Sequence, residues 1–150
     1  MIFIPALTRD NLATDRQGIS VAQQNDAAKK AQGDRSFSGM GALHHLINTT
    51  NEKAREFFDQ GLTFFYAFNF DEAVRSFENA ARLDPHAVMP YWGIALANSP
   101  NYNSGIYNTP ARDNAAREAI QEAQQLSASA SPNERAYIDA LARPFEHSFE

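Results

Sequence analysis

The sequence predicts an all-α fold, a short α-solenoid of antiparallel helix hairpins preceded by a poorly structured segment. Three observations predict it. Helix-start signals recur between Thr49 and Glu134. No window shows the alternating β-branched pattern that a strand needs. One apolar spacing occurs twice, at Ala73, Phe77, Ala80 and Leu83 and again at Ala116, Ile120, Ala123 and Leu126. Small residues let two helices approach closely, and the large residue between them fills the groove that remains. Helix pairs that repeat in this way stack side by side, because a single pair cannot cover its own apolar surface.

The elements follow in order. Residues 1–42 mix polar residues with few large apolar ones; residues 19–22 with Ala27, Ala28 and Ala31 form at best a short helix with an alanine face. Docking such a face yields little free energy, so 1–42 is expected to be flexible or weakly helical. Thr49 followed by Glu52 has the spacing of a capping box and predicts a helix over 50–68. Asn69 with Glu72 predicts the next over 70–83, and Asp84-Pro85 closes it and opens a third over 87–98. Thr109-Pro110 starts a helix over 110–127, and Ser131-Pro132-Asn133-Glu134 starts one over 132–142.

Composition bounds the function. The 150 residues, 43% of them hydrophobic, suffice for one globular domain, placed at 43–150. Thirteen Lys and Arg face eighteen Asp and Glu, for a net charge of -5, with fourteen of the acidic residues after position 50. Nucleic acid is not an expected partner, since phosphate binding needs a concentrated basic face. Without cysteine there is neither a disulfide, a thiolate metal site nor a cysteine nucleophile. No run approaches the roughly 18–20 apolar residues of a spanning helix. The opening run 1–7 is too short for a signal h-region and has no basic residue before it, so the cytoplasm is the default reading and the periplasm stays open.

Phe57, Gly61 and Phe64, then Ala73, Phe77 and Ala80, then Pro85 stand at fixed intervals from Ala54. In this pattern the chain resembles the tetratricopeptide repeat family, whose 34-residue unit has a large aromatic, glycine and aromatic in its first helix, Ala-Phe-Ala in its second and a closing proline. The first repeat covers about 54–87. A degenerate second, about 88–128, has Tyr91, Ile94 and Ala95 in its first helix and about nine extra residues between its helices. A partial third runs over 131–150. Phe68 stands where the family usually has a glycine, and Ala128 replaces the closing proline. The run from His44 to Asn103 is also similar to a group of bacterial repeat proteins, usually much longer and without an assigned activity.

The first helix carries a second apolar stripe, Phe58, Leu62 and Phe65, at i, i+4 and i+7. A helix apolar on both sides must be buried on both. The resemblance implies that this stripe, joined by Met89, Trp92 and Leu96, faces a concave groove in which ligand peptides lie. The alternative is that the N-terminal segment or a neighbouring helix covers it. Relatives that grip a C-terminal carboxylate carry Lys and Asn where this chain has Phe58, Leu62 and Phe65, so that clamp is absent. The loop 99–109 is long for a link within a hairpin, and its Tyr102 and Tyr107 are candidates for stacking on a partner.

His44 and His45 are weak candidates for a metal site, since two adjacent imidazoles share a metal only in a loop, and no HxxxH spacing occurs. There is no phosphate-binding glycine loop and no GxSxG, so neither catalysis nor a cofactor is expected. The reading is a protein–protein interaction scaffold that binds a protein or peptide segment, or a second copy of itself, in an apolar groove. The alternatives are a metal or small-ligand carrier using His44, His45 and the 99–109 loop, or the N-terminal part of a longer scaffold.

Overall fold

The computed structural model describes residues 36–100 and 109–146. The chain divides into two units, 1–32 and 33–150, and every described residue belongs to the second. The described residues form five α-helices, α1 (Glu52–Tyr66), α2 (Phe70–Leu83), α3 (Val88–Asn98), α4 (Pro110–Gln125) and α5 (Pro132–Glu146), with a 3-10 turn at Ser127–Ser129. None is a strand, as the sequence predicts. The helix expected over 19–31 lies outside the described residues.

Local chemistry sets the helix ends. The side chain of Asn51, not Thr49, caps α1 by accepting the Ala54 N–H at 3.1 Å. The Thr49 hydroxyl is taken by the Asp84 carboxylate at 2.5 Å, which moves the helix start two residues on. Asn69 caps α2, Thr109 caps α4 with Pro110 at its first position, and Ser131 with Glu134 forms a reciprocal capping box on α5. α3 has no side-chain cap; its Pro90 lies in the first turn, where the missing N–H has no carbonyl to lose. Phe68 ends the first hairpin helix with a φ of +59°, in the left-handed region. That conformation lets the Asn69 N–H reach the Phe64 carbonyl at 2.9 Å and the Phe68 N–H reach Phe65 at 3.0 Å, the Schellman closure that normally recruits glycine. Its ring is therefore exposed and leaves the stripe of Phe57, Gly61 and Phe64.

Each helix packs against the next: α1 on α2, α2 on α3, α3 on α4, and α5 on both α3 and α4. Connections of only a few residues reverse the chain between α1 and α2 and between α2 and α3. The seam predicted for the first pair is fully buried at Ala73, Phe77 and Ala80, and its counterpart at Ala116, Ile120 and Ala123 is equally closed. Phe77 is the centre. A Cβ on Gly61 of α1 would lie 2.5 Å from its ring, and a Cβ on Gly93 of α3 would also lie 2.5 Å from it. Two bare backbones thus clamp one ring, and Phe58 closes the third side at 5.3 Å between centroids.

Candidate functional site

The residues before α1 build the site. Residues 36–51 hold no helix or strand, yet they lie on the helices rather than away from them. The expected boundary after residue 42 falls inside this segment. Its path is written in hydrogen bonds from its backbone to helix side chains. The Phe37 N–H donates to Gln60 Oε1 at 2.8 Å, and the ring packs edge-on against Phe64 at 5.6 Å. The His45 N–H donates to Asp59 Oδ1 at 2.9 Å. The Asn48 N–H donates to Glu134 Oε1 of α5 at 2.7 Å, and its side-chain amide donates to the Ser129 carbonyl at 2.9 Å. The segment therefore runs antiparallel to α1 and then reaches the start of α5.

The acceptors are themselves held. Gln60 donates its amide to Ser76 Oγ of α2 at 3.0 Å, and that hydroxyl donates to the Glu72 carbonyl at 2.8 Å. Glu134 is buried and divides its carboxylate, one oxygen for Asn48 and the other for the Ser131 N–H at 2.7 Å. Bonds to an ionised acceptor are roughly twice as strong as neutral ones. Asp59 uses its second oxygen on His44 Nδ1 at 2.9 Å. At the far end Asn51 donates to the Leu83 carbonyl at 2.9 Å, so the same stretch of chain that starts α1 also finishes α2.

The expected groove residues separate into two sets. Phe58 and Met89 are 0% exposed and Leu62 is 4% exposed. They are core, which corrects their placement on an open groove: a helix apolar all round turns some of that surface inward, and Phe58 meets Phe77 on one side and the His45 ring, 5.9 Å away, on the other. Phe65, Trp92 and Leu96 are half-buried. Phe65 lies among the rings of Tyr66 and Phe70 at 5.7 Å each. Trp92 is committed to α5: its indole N–H donates to the Tyr137 carbonyl at 3.1 Å and the two rings stand 5.5 Å apart. Tyr102 and Tyr107 lie outside the described residues.

The histidines do not converge. His44 faces Asp59, while His45 is wedged between Phe58 and Tyr137, each 5.9 Å away. Among the described residues no three His, Cys, Asp or Glu side chains form a group able to hold a metal ion. An open cleft of about 620 Å³ lies between this part of the segment and the first turn of α5, bounded by His44, His45, Ile47, Glu134 and Tyr137. A second, of about 360 Å³, lies under the turn that carries Gly39 and Gly41 at φ +81° and +90°, against Glu56, Asp59, Gln60 and Thr63.

Sequence reasoning misses Gln60, Asp59 and Gly93. Gln60 had a signal, a polar residue set into an apolar run three places after Phe57 and next to Gly61. Gly93 had none, because its glycine is required by a ring on another helix. No helix of the described residues is long and apolar enough to cross a membrane. No protein-family model, no curated protein and no solved structure matches this chain.

Proposed function

We propose that this chain is a polypeptide-binding module of the tetratricopeptide type, a short solenoid whose hairpins are α1/α2 and α3/α4 and whose α5 opens a third. The clamp of Gly61 and Gly93 on Phe77 supports the stacking of successive hairpins, since it needs both helices against one ring. The observation that carries the function is the set of helix acceptors, Gln60, Asp59 and Glu134, each receiving a backbone N–H from the non-helical segment before α1. Acceptors that grip N–H groups hold a chain by its backbone and leave selectivity to the neighbouring rings. Two half-buried apolar side chains of the expected groove, Phe65 and Leu96, would take side chains of the ligand. The carboxylates of Glu56, Asp59 and Glu134 favour neutral or basic ligands, more through encounter rate than through affinity.

Selection of a displayed random-peptide library on the full chain tests the reading. Peptides that survive should bind wild type and weaken in Asp59→Asn and Phe65→Ser chains of unchanged helicity. Failure to select any peptide, or selected peptides indifferent to both substitutions, would overturn it.

A further inference from the structure

A chain of aromatic rings lies at the turn between α1 and α2. Tyr66 meets Phe65 at 5.7 Å, Phe65 meets Phe70 at 5.7 Å, and Phe70 meets Phe68 at 6.3 Å. The inner pair is rooted in the protein, with Phe65 half-buried and Phe70 4% exposed. The outer pair is not: Tyr66 is 67% and Phe68 60% exposed, and Ala67 and Asn69 of the same turn are exposed as well. Phe68 is also held at φ +59°, a conformation that glycine would adopt without steric cost. A bulky ring kept at a cost to the backbone and turned to water implies a contact outside the fold.

The chemistry of the turn says what kind. No charged residue occurs from Gln60 to Phe70, and the first acids after it are paired, Asp71 with Arg112 at 2.7 Å and Glu72 with Arg75. The N–H groups of Ala67, Phe68 and Asn69 are all spent inside the hairpin, on the carbonyls of Thr63, Phe65 and Phe64. Such a tip enters an apolar medium without stranding those donors. The two outer rings offer on the order of 200–300 Å² from each partner, well short of the roughly 1,000 Å² in total of a stable protein interface. A bilayer needs no matching surface and closes around an exposed tip from every side.

We propose that the α1–α2 turn docks on a zwitterionic membrane surface, with Tyr66 and Phe68 set into the boundary between headgroups and acyl chains. Tyr66 keeps its hydroxyl among the headgroups while its ring enters the boundary, and the Phe68 ring enters whole. The attachment is peripheral and reversible, since two rings bury far less apolar area than a spanning helix. The net charge is -5 and no Lys or Arg stands between Arg55 and Arg75, so anionic lipids add no attraction. This docking is independent of peptide binding by the module.

Co-sedimentation of the full chain with vesicles of phosphatidylcholine, and of equimolar phosphatidylcholine and phosphatidylserine, tests this. Wild type should bind the neutral vesicles with little dependence on salt and the anionic ones more weakly. Phe68→Gly should lower partitioning into neutral vesicles about tenfold, and adding Tyr66→Ser should lower it further. Leu46→Ser, at the most exposed large apolar side chain of the described residues, should leave it unchanged. Phe68→Trp reports on the site itself: its emission should shift to the blue and be quenched by phosphatidylcholine brominated on the acyl chains, above the Trp92 background read from wild type. No binding to neutral vesicles, preference for anionic ones, equal binding by wild type and Phe68→Gly, or an unquenched Phe68→Trp would overturn the proposal. So would a wild-type dimer in sedimentation velocity that Phe68→Gly dissolves, which would give the tip to a second copy. Selection of library peptides stands or falls apart from all of these results.

Discussion

The ring of Phe77 occupies the volume that a side chain on Gly93 would need: a Cβ there would lie 2.5 Å from Cδ1 and 2.7 Å from Cγ. On an exposed helix Gly→Ala gains about 1 kcal/mol of propensity. Here the sign reverses, because the ring is fully buried and Gly61 blocks its retreat. Gly93→Ala is expected to destabilise by about 1–3 kcal/mol in urea unfolding. Adding Phe77→Leu should cost less in the Gly93→Ala background than in wild type, a coupling that a double-mutant cycle reads directly. Additive effects would mean that the two residues do not share this space.

Phe68 gives the opposite prediction. A left-handed residue other than glycine costs roughly 1–2 kcal/mol, and the ring recovers little, being exposed with one edge-on contact to Phe70 at 6.3 Å. Phe68→Gly should raise stability by about 1 kcal/mol. A lower melting temperature would show that the aromatic contact outweighs the backbone.

Glu134 serves two backbone donors from inside the protein. Glu134→Ala leaves both the Asn48 and Ser131 N–H groups without it and should cost about 2–4 kcal/mol. Glu134→Gln, with one carbonyl oxygen, should fall between. Amide exchange at Asn48 and Ser131 checks the cause: both should speed up in the alanine variant, and unchanged rates would contradict these bonds.

Burial, then the nearby carboxylates of Glu122 and Asp84, raise the proton affinity of Tyr91 above its ordinary value of 10.0. The folded state therefore keeps this proton to higher pH than the unfolded chain, and stability falls as pH rises from about 10 through the raised value. Tyr91→Phe lacks this loss. The gap in urea midpoint between wild type and variant should shift in favour of the variant between pH 9 and 11, roughly the range bracketing tyrosine ionisation; a constant gap would refute it.

Phe58 and Phe65 separate packing from binding. Phe58→Ser opens a cavity beside Phe77 and should cost about 3–5 kcal/mol, with loss of helicity on mild heating. Phe65→Ser, at a half-buried site, should keep the helical spectrum and weaken ligands. Equal losses of stability would place Phe65 in the core as well.

What was readable in the chain follows from range. The Ala73–Phe77–Ala80 seam and the caps at Asn69, Thr109 and Ser131 depend on residues within one or two turns, and these were legible. The spacing puts the cap of α1 at Thr49, but Thr49 and Asn51 are both competent, and Asp84, 35 residues away, takes the Thr49 hydroxyl. The apolar character of Phe58, Leu62 and Met89 is plain in the spacing, but spacing alone cannot say which side of an all-round apolar helix faces inward. The segment 36–48 was unreadable as a bound element. It has no periodicity, and much of what holds it is the backbone N–H that every residue but proline carries.

The bonds from Asn48 to Glu134 and Ser129 span 86 and 81 residues in a molecule whose helices otherwise meet chiefly their neighbours. Rods stacked in sequence can fray from the last one inward, each melting at its own temperature. A tether from ahead of the first rod to the foot of the last makes such fraying cost the opening at both ends. The described helices should accordingly melt in one sharp transition, and cutting the tether at Asn48 should broaden it.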